Sequence, residues 1–148
     1  MRKFEVVENY FRHHDGNIQL PTRSDPASAG YDFYSPCAVR IDPGESKLIF
    51  TDVKACMNPD EVLMLYVRSS MGKPRVVLAN GTGVIDQSYY GNIKNDGNIG
   101  LYLLNLGEKP FHINVGDRIG QGVFMKYLTT DDDNTTGTRT GGFGSTGA

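Results

Sequence analysis

No hydrophobic run in this chain approaches the roughly 20 residues that a membrane-spanning helix needs, and the opening MRKFEVVENY lacks the apolar stretch of a signal peptide. Thiols are scarce. Cys37 and Cys56 are the only cysteines, too few for a disulfide scaffold and wrongly spaced for a zinc site, so they are expected to be small core hydrophobes in a reducing cytoplasm. An excess of one charge is also missing: the formal net charge of −2 gives no electrostatic case for duplex nucleic acid or an anionic membrane surface. No segment sustains a helical apolar period over three turns. Absent too are a G-x-x-x-x-G-K-S/T phosphate loop, a dinucleotide fingerprint ahead of a helix, His-Glu-x-x-His and G-x-S-x-G. The expectation is a soluble, cytoplasmic, non-helical chain that binds neither nucleic acid nor membrane.

What the chain does contain is a succession of short runs rich in Val, Ile, Leu, Tyr and Phe, separated by the turns DPGE, NPDE, NDGN, GEKP and NVGD. That rhythm predicts an all-β sandwich or barrel. The expected strands are Phe4–Val7, Ala38–Ile41, Lys47–Phe50, Val62–Val67, Arg75–Ala79, Ile99–Asn105, Phe111–Val115 and Arg118–Leu128, with Val84 and Ile85 entering a further one. EVLMLYV is continuously apolar, as for a strand buried on both faces. After Arg68-Ser69-Ser70 at most one helical turn is expected, because Gly72 and Pro74 follow. At 148 residues this is one domain with a sizeable core.

The C-terminus differs in kind. DDDNTTGT leads into RTGGFGSTGA, a stretch unsuited to helix, strand or core, whose glycines lose much backbone entropy on ordering. Such an end either hangs free or closes over a ligand that offsets the cost.

Four other stretches carry candidate chemistry. In NGTGVIDQSYYG, Gly81 and Gly83 let the backbone approach a flat ligand, and Ile85 and Asp86 must face opposite ways, so burying Ile85 presents Asp86 to a cleft. The bland alternative is a hairpin with a solvated Asp. YVRSSMG sets a forked cation, Arg68, beside the short donors Ser69 and Ser70, a combination suited to phosphate oxygens, although serines often merely cap a turn. GDRIGQG offers Gln121, donor and acceptor at once, on what is otherwise plain sheet. SAGYDFYSP places Asp32 where one carboxylate can serve a hydrated metal. His13, His14 and Asp15 form a weaker metal candidate, since adjacent strand positions point apart.

Taken together and in order, PASAGYDFYSP, RSS, NGTGVIDQSYYGNI, GDRIGQGVF and RTGGFGSTG resemble the five motifs of the trimeric dUTP pyrophosphatases (dUTPases), over residues 21–147. The resemblance implies a jelly-roll-like β barrel forming a homotrimer. Residues 1–130 would be the barrel, and 131–148 a linker and lid arm of the same domain acting on a neighbouring subunit's site. It implies hydrolysis of dUTP to dUMP and pyrophosphate, with Asp86 activating the water that attacks the α-phosphorus. Asn80, Gly83, Val84, Ile85 and Ile93 would read uracil, Tyr89 would lie beneath the deoxyribose, and Phe143 would stack on the base. Arg68, Ser69, Ser70, Gln121, Arg139, Gly144, Ser145 and Thr146 would hold phosphates. Asp32 would reach Mg2+ through water, the ion being held mainly by the substrate. A regulatory protein partner is expected only if the chain is phage-encoded. Two departures from the family pattern stand out: Arg139 precedes Phe143 by four residues where many members have five, and the segment from Ser70 to Asn80 is short and contains Pro74. The related dCTP deaminases use a Glu near the hairpin, and none occurs here.

Overall fold

The computed structural model describes residues 1–143, which form antiparallel β-structure with three isolated 3-10 turns and no α-helix. The strands are β1 (Lys3–Val6), β2 (Tyr31–Tyr34), β3 (Val39–Ile41), β4 (Ser46–Phe50), β5 (Val53–Cys56), β6 (Glu61–Tyr66), β7 (Val76–Leu78), β8 (Gly83–Asp86), β9 (Gly100–Asn105), β10 (Phe111–Ile113) and β11 (Arg118–Lys126). A four-stranded sheet in the order β2-β11-β6-β8 and a three-stranded sheet β4-β9-β7 are supplemented by the pairs β1-β5 and β10-β3, giving a jelly-roll-like barrel. No helix among the described residues is long and apolar enough to cross a membrane.

Two-residue alternation fills the core. Leu101 and Leu103 of β9 meet Leu63 and Leu65 of β6 and Phe33 of β2, all essentially solvent-free. Phe4 of β1 closes one end, its ring 5.3–5.6 Å from those of Tyr31, Phe33 and Phe124. Cys37 and Cys56 are free thiols, half-buried rather than central. β6 departs from the expectation of burial on both faces: its inner residues Leu63 and Leu65 are covered, but Met64 is half-buried and Tyr66 is exposed. The outer face of the four-stranded sheet is therefore apolar and open, with Val84 and Met125 beside Met64.

The turn between β4 and β5 holds a fully buried carboxylate. Asp52 has a φ of +60° and no accessible surface. Its oxygens accept the peptide N–H groups of His13 and His14, both at 2.9 Å, and the Asn98 amide at 2.9 Å, and one lies 3.1 Å from the His14 ring nitrogen. The Asn98 side chain also accepts from the Asp52 peptide N–H and donates to the Phe11 carbonyl. Burying a carboxylate is tolerated only with such saturation. This network explains the His13-His14 pair: the segment is a clasp on Asp52, and no group of three metal-binding side chains occurs among the described residues. Nearby, Lys54 pairs with Asp96 at 2.8 Å and lies over the Tyr90 ring. Burial, and then the Glu5 carboxylate that accepts its hydroxyl proton, push the Tyr90 phenol up to about 12.

Removing the Asp52 acceptors strands several buried donors at about 1–3 kcal/mol each. Asp52→Leu should therefore lower the unfolding free energy by more than about 3 kcal/mol, and Asp52→Asn by about 1–2 kcal/mol, since Asn keeps an acceptor oxygen and tolerates the positive φ. Urea titration of both variants checks this; equal losses would mean that the hydrogen bonds add nothing to side-chain shape.

Candidate active site

Two cavities gather most of the candidate residues. The first, about 220 Å³, opens at the β8 edge between the sheets and is lined by Asn80, Gly83, Val84, Ile85, Tyr89, Arg139 and Phe143, together with Leu65, Gly100 and Gly142. Gly83 is required for space: a Cβ there would stand 2.8 Å from Leu65 Cβ. The β8–β9 connection begins with a 3-10 turn, Gln87–Tyr89, that drops the Tyr89 ring into the cavity wall. The Tyr89 hydroxyl donates to the Asn98 carbonyl at 2.7 Å and accepts from Asn95 Nδ2 at 2.8 Å. Burial raises its pKa above the usual phenol value, so it remains a donor at neutral pH. The hydroxyl is committed to the fold, and only the ring faces the cavity.

Asp86 ends β8 on the opposite face from Ile85, as alternation requires. Its side chain is one-third exposed and borders the open apolar face with Val62, Met64, Val84 and Tyr127. Ser88 Oγ donates to one carboxylate oxygen at 2.6 Å, and the Arg139 guanidinium lies 3.5 Å from the other. Arg139 also donates to Ser88 Oγ at 2.9 Å. The arm thus returns to the β8 end of its own chain, and Arg139, expected on phosphate, here pairs with the candidate base. At Gly142 the arm crosses the Tyr89 ring so closely that a Cβ would stand 2.7 Å from Tyr89 Cε1.

The second cavity, about 330 Å³, is lined by Asp32, Arg68, Ser69 and Gln121 with Ser24, Ser28 and Gly30. Gln121 lies opposite Asp32 on β2 and Tyr66 on β6, and its amide donates to the Val67 carbonyl. Any side chain at Gly30 would collide with Gln121 Oε1. Asp32 is almost buried between two cations, 3.1 Å from Arg68 Nε and 3.5 Å from Arg118 Nη1. Those arginines occupy the carboxylate that was expected to reach a metal, and no second carboxylate lines the cavity. The donor set therefore does not fit a protein-built magnesium site.

Asp86 lines neither cavity and borders the open apolar face instead, and three further expected groups are not gathered. Ile93 is 79% exposed and lines neither cavity. Ser70 faces solvent at the 3-10 turn Ser69–Met71, while Ser69 lines the second cavity. Gly144, Ser145 and Thr146 lie outside the described residues. Arg118, Gly30 and Gly100 were missed. Arg118 had a signal, three residues before Gln121 in GDRIGQG; the two glycines matter through partners distant in sequence.

The dUTPase family model matches residues 16–147. The deoxyuridine 5'-triphosphate nucleotidohydrolase of Lactococcus lactis subsp. lactis (strain IL1403) is 44% identical, covering 100% of this chain and 99% of its own. The crystal structure of the Streptococcus mutans dUTPase superposes with a TM-score of 0.77 at 36% identity, covering 86% of this chain and 98% of its own. The D95N dUTPase of Staphylococcus aureus phage phi11, in which a structural Mg(II) ion is coordinated, has a TM-score of 0.69 at 22% identity and covers 91% of this chain and 96% of its own.

Because the Tyr89 hydroxyl serves the fold and its ring serves the cavity, Tyr89→Phe should cost about 1–2 kcal/mol of stability while keeping the cavity wall. A calorimetric melting point unchanged from the parent would contradict that division of labour.

Proposed function

The chain belongs to the dUTPase family, and from that premise we infer how its two cavities carry out the hydrolysis of dUTP to dUMP and pyrophosphate. The first cavity takes the nucleoside. Backbone groups of the hairpin from Gly83 onward and Asn80 read the base edge, the Tyr89 ring packs against deoxyribose and excludes a 2′-hydroxyl, and Phe143 covers the base. Asp86, on the outer face and joined to the cavity through Arg139, orients the water that attacks the α-phosphorus and takes its proton, a role that asks only for an ionised carboxylate in hydrogen-bond reach. The second cavity takes phosphates on Arg68, Ser69 and Gln121, with forked and single donors replacing lost hydration. Phosphoryl transfer needs chiefly such positioning and charge neutralisation.

The observation that carries this reading is the closed corner at β8: a cavity, the Asp86 carboxylate and the arm's Arg139 meet there. Substrate arriving on Arg139 would draw the guanidinium from Asp86 to phosphate and free the base. Magnesium enters with the triphosphate as part of the substrate, whose oxygens are hard-cation ligands, and no step is assigned to it.

The separation of the two groups of residues along the sheet supports a site completed by a neighbouring chain. Asp86 is opposite Val62 and Gln121 opposite Tyr66, four residues along β6 and two strands across, which sets them about 16 Å apart on the same outer face. The apolar strip between them, with Met64, Val84 and Met125, suits contact with another copy. A homotrimer joins one chain's hairpin to a neighbour's Arg68, Ser69 and Gln121, with the arm supplied to a neighbouring site. The barrel of residues 1–130 is then the rigid part, and residues 131–148 the lid.

Asp86→Asn should reduce dUTP turnover by about 10²–10⁴-fold while binding a non-hydrolysable dUTP analogue at near-parental affinity; calorimetric titration beside a pyrophosphate-release assay separates the two. Removing residues 137–148 should leave the same melting transition and abolish most activity. Mixing that truncated protein with Asp86→Asn should recover turnover in mixed assemblies, and recovery of none would exclude sites shared between chains. The parental protein should hydrolyse dUTP well ahead of dTTP and UTP.

A further inference from the structure

Phe143 does not stand free beside its cavity. Its ring meets Phe50 edge-on, with centroids 6.2 Å apart and an interplanar angle of 84°, and Tyr102 at 6.5 Å and 63°. Phe50 of β4 pairs across the sheet with Gly100 of β9, and Tyr102, two residues on, shares that face. Gly100 has no left-handed φ; its glycine leaves space. A Cβ there would lie 3.3 Å from Phe143 Cζ, 3.3 Å from Phe50 Cδ1 and 2.8 Å from Leu48 Cδ1. Against Phe50 lies the His13 imidazole, stacked at 4.3 Å and 18°, and the His13 peptide N–H is bound to Asp52. Phe143 itself has a φ of +50°, a conformation that bulky residues rarely hold without surrounding contacts.

We propose that Phe50, Tyr102 and the bare backbone at Gly100, with His13 stacked on Phe50, form a seat that docks the lid's Phe143 and preforms one wall of the base cavity. The inference rests on the reading of Phe143 as the residue covering uracil. The seat belongs to the chain that carries the hairpin, whichever chain supplies the arm. None of its members touches the reacting phosphorus, so they are positioning residues. A docked lid raises the fraction of protein ready to bind, and loss of the seat lowers apparent affinity by that fraction. An effect confined to such binding raises KM and spares kcat.

The chain contains no tryptophan, so Phe143→Trp places a single emitter on the lid. In nucleotide-free protein its emission should be blue-shifted, and should move to the red when Phe50→Leu or His13→Ala is added. In the Phe143 background, Phe50→Leu should raise KM for dUTP about 2- to 12-fold, the range expected of one aromatic pair, with kcat within twofold, and Phe50→Tyr should restore the parental KM. His13→Ala, which keeps the peptide donor to Asp52, should shift KM the same way at an unchanged urea midpoint. Emission indifferent to both seat variants, an unaltered KM in Phe50→Leu, or a fall in kcat at constant KM would each overturn the seat. Absence of any dUTP hydrolysis by the parent would instead remove the functional reading, since the nucleotide-free emission tests the seat alone.

Discussion

The structure around the nucleoside cavity depends on one buried acceptor, the Asp52 carboxylate. It gathers the peptide donors of His13 and His14, and it shares Asn98 with the Phe11 carbonyl. The Asn98 carbonyl in turn receives the Tyr89 hydroxyl. A continuous polar chain thus runs from the N-terminal segment, through the β4–β5 turn, to the ring that walls the cavity. Inside a low-dielectric core such bonds are directional and costly to leave unmade, so together with packing they fix the Tyr89 ring. The same turn carries Phe50 two residues earlier, which couples the lid's resting place to the same anchor.

Electrostatics divide the outer face of the four-stranded sheet. At one corner Asp32 is held between Arg68 and Arg118, leaving a region of net positive charge beside Ser69 and Gln121. At the other, Asp86 is met by a single cation delivered by the arm. The first corner thus carries an excess of cationic groups, and the carboxylate of the second is offset by the arm's Arg139. Strand register keeps the corners apart, and an apolar strip fills the distance.

Much of this was legible in the residues. Turn chemistry located most strands, and the glycine-rich end announced itself by composition. In NGTGVIDQSYYG the expectation that Ile85 and Asp86 face opposite ways holds, but the segment is no hairpin, since β8 pairs with β6 while β7 and β9 lie in the other sheet. β2 and β5 were not anticipated as strands: YDFY was read for its Asp, and VKAC is short and carries Lys54, whose burial depends on Asp96 from a remote loop. Contacts between residues far apart in sequence explain the other omissions. Nothing local to Gly30 points to Gln121, and nothing local to His13 or Phe50 points to Phe143. For Tyr89 the resemblance implies a place beneath the sugar and gives no hint that its hydroxyl holds the fold. Ile93, expected at the base through its main chain, has an exposed side chain and lines neither cavity.

The position of β11 has a consequence for how the molecule is made. The last strand among the described residues lies in the interior of its sheet, between β2 and β6, and it carries Gln121. A nascent polypeptide emerging from the ribosome has both neighbours ready long before residue 126 appears, with two unpaired edges facing an empty slot. Such edges recruit foreign strands, and closing the slot requires pairing across most of the chain length, the slowest kind of contact to form. The barrel is thus completed only once residue 126 has been made, by the strand that also carries Gln121.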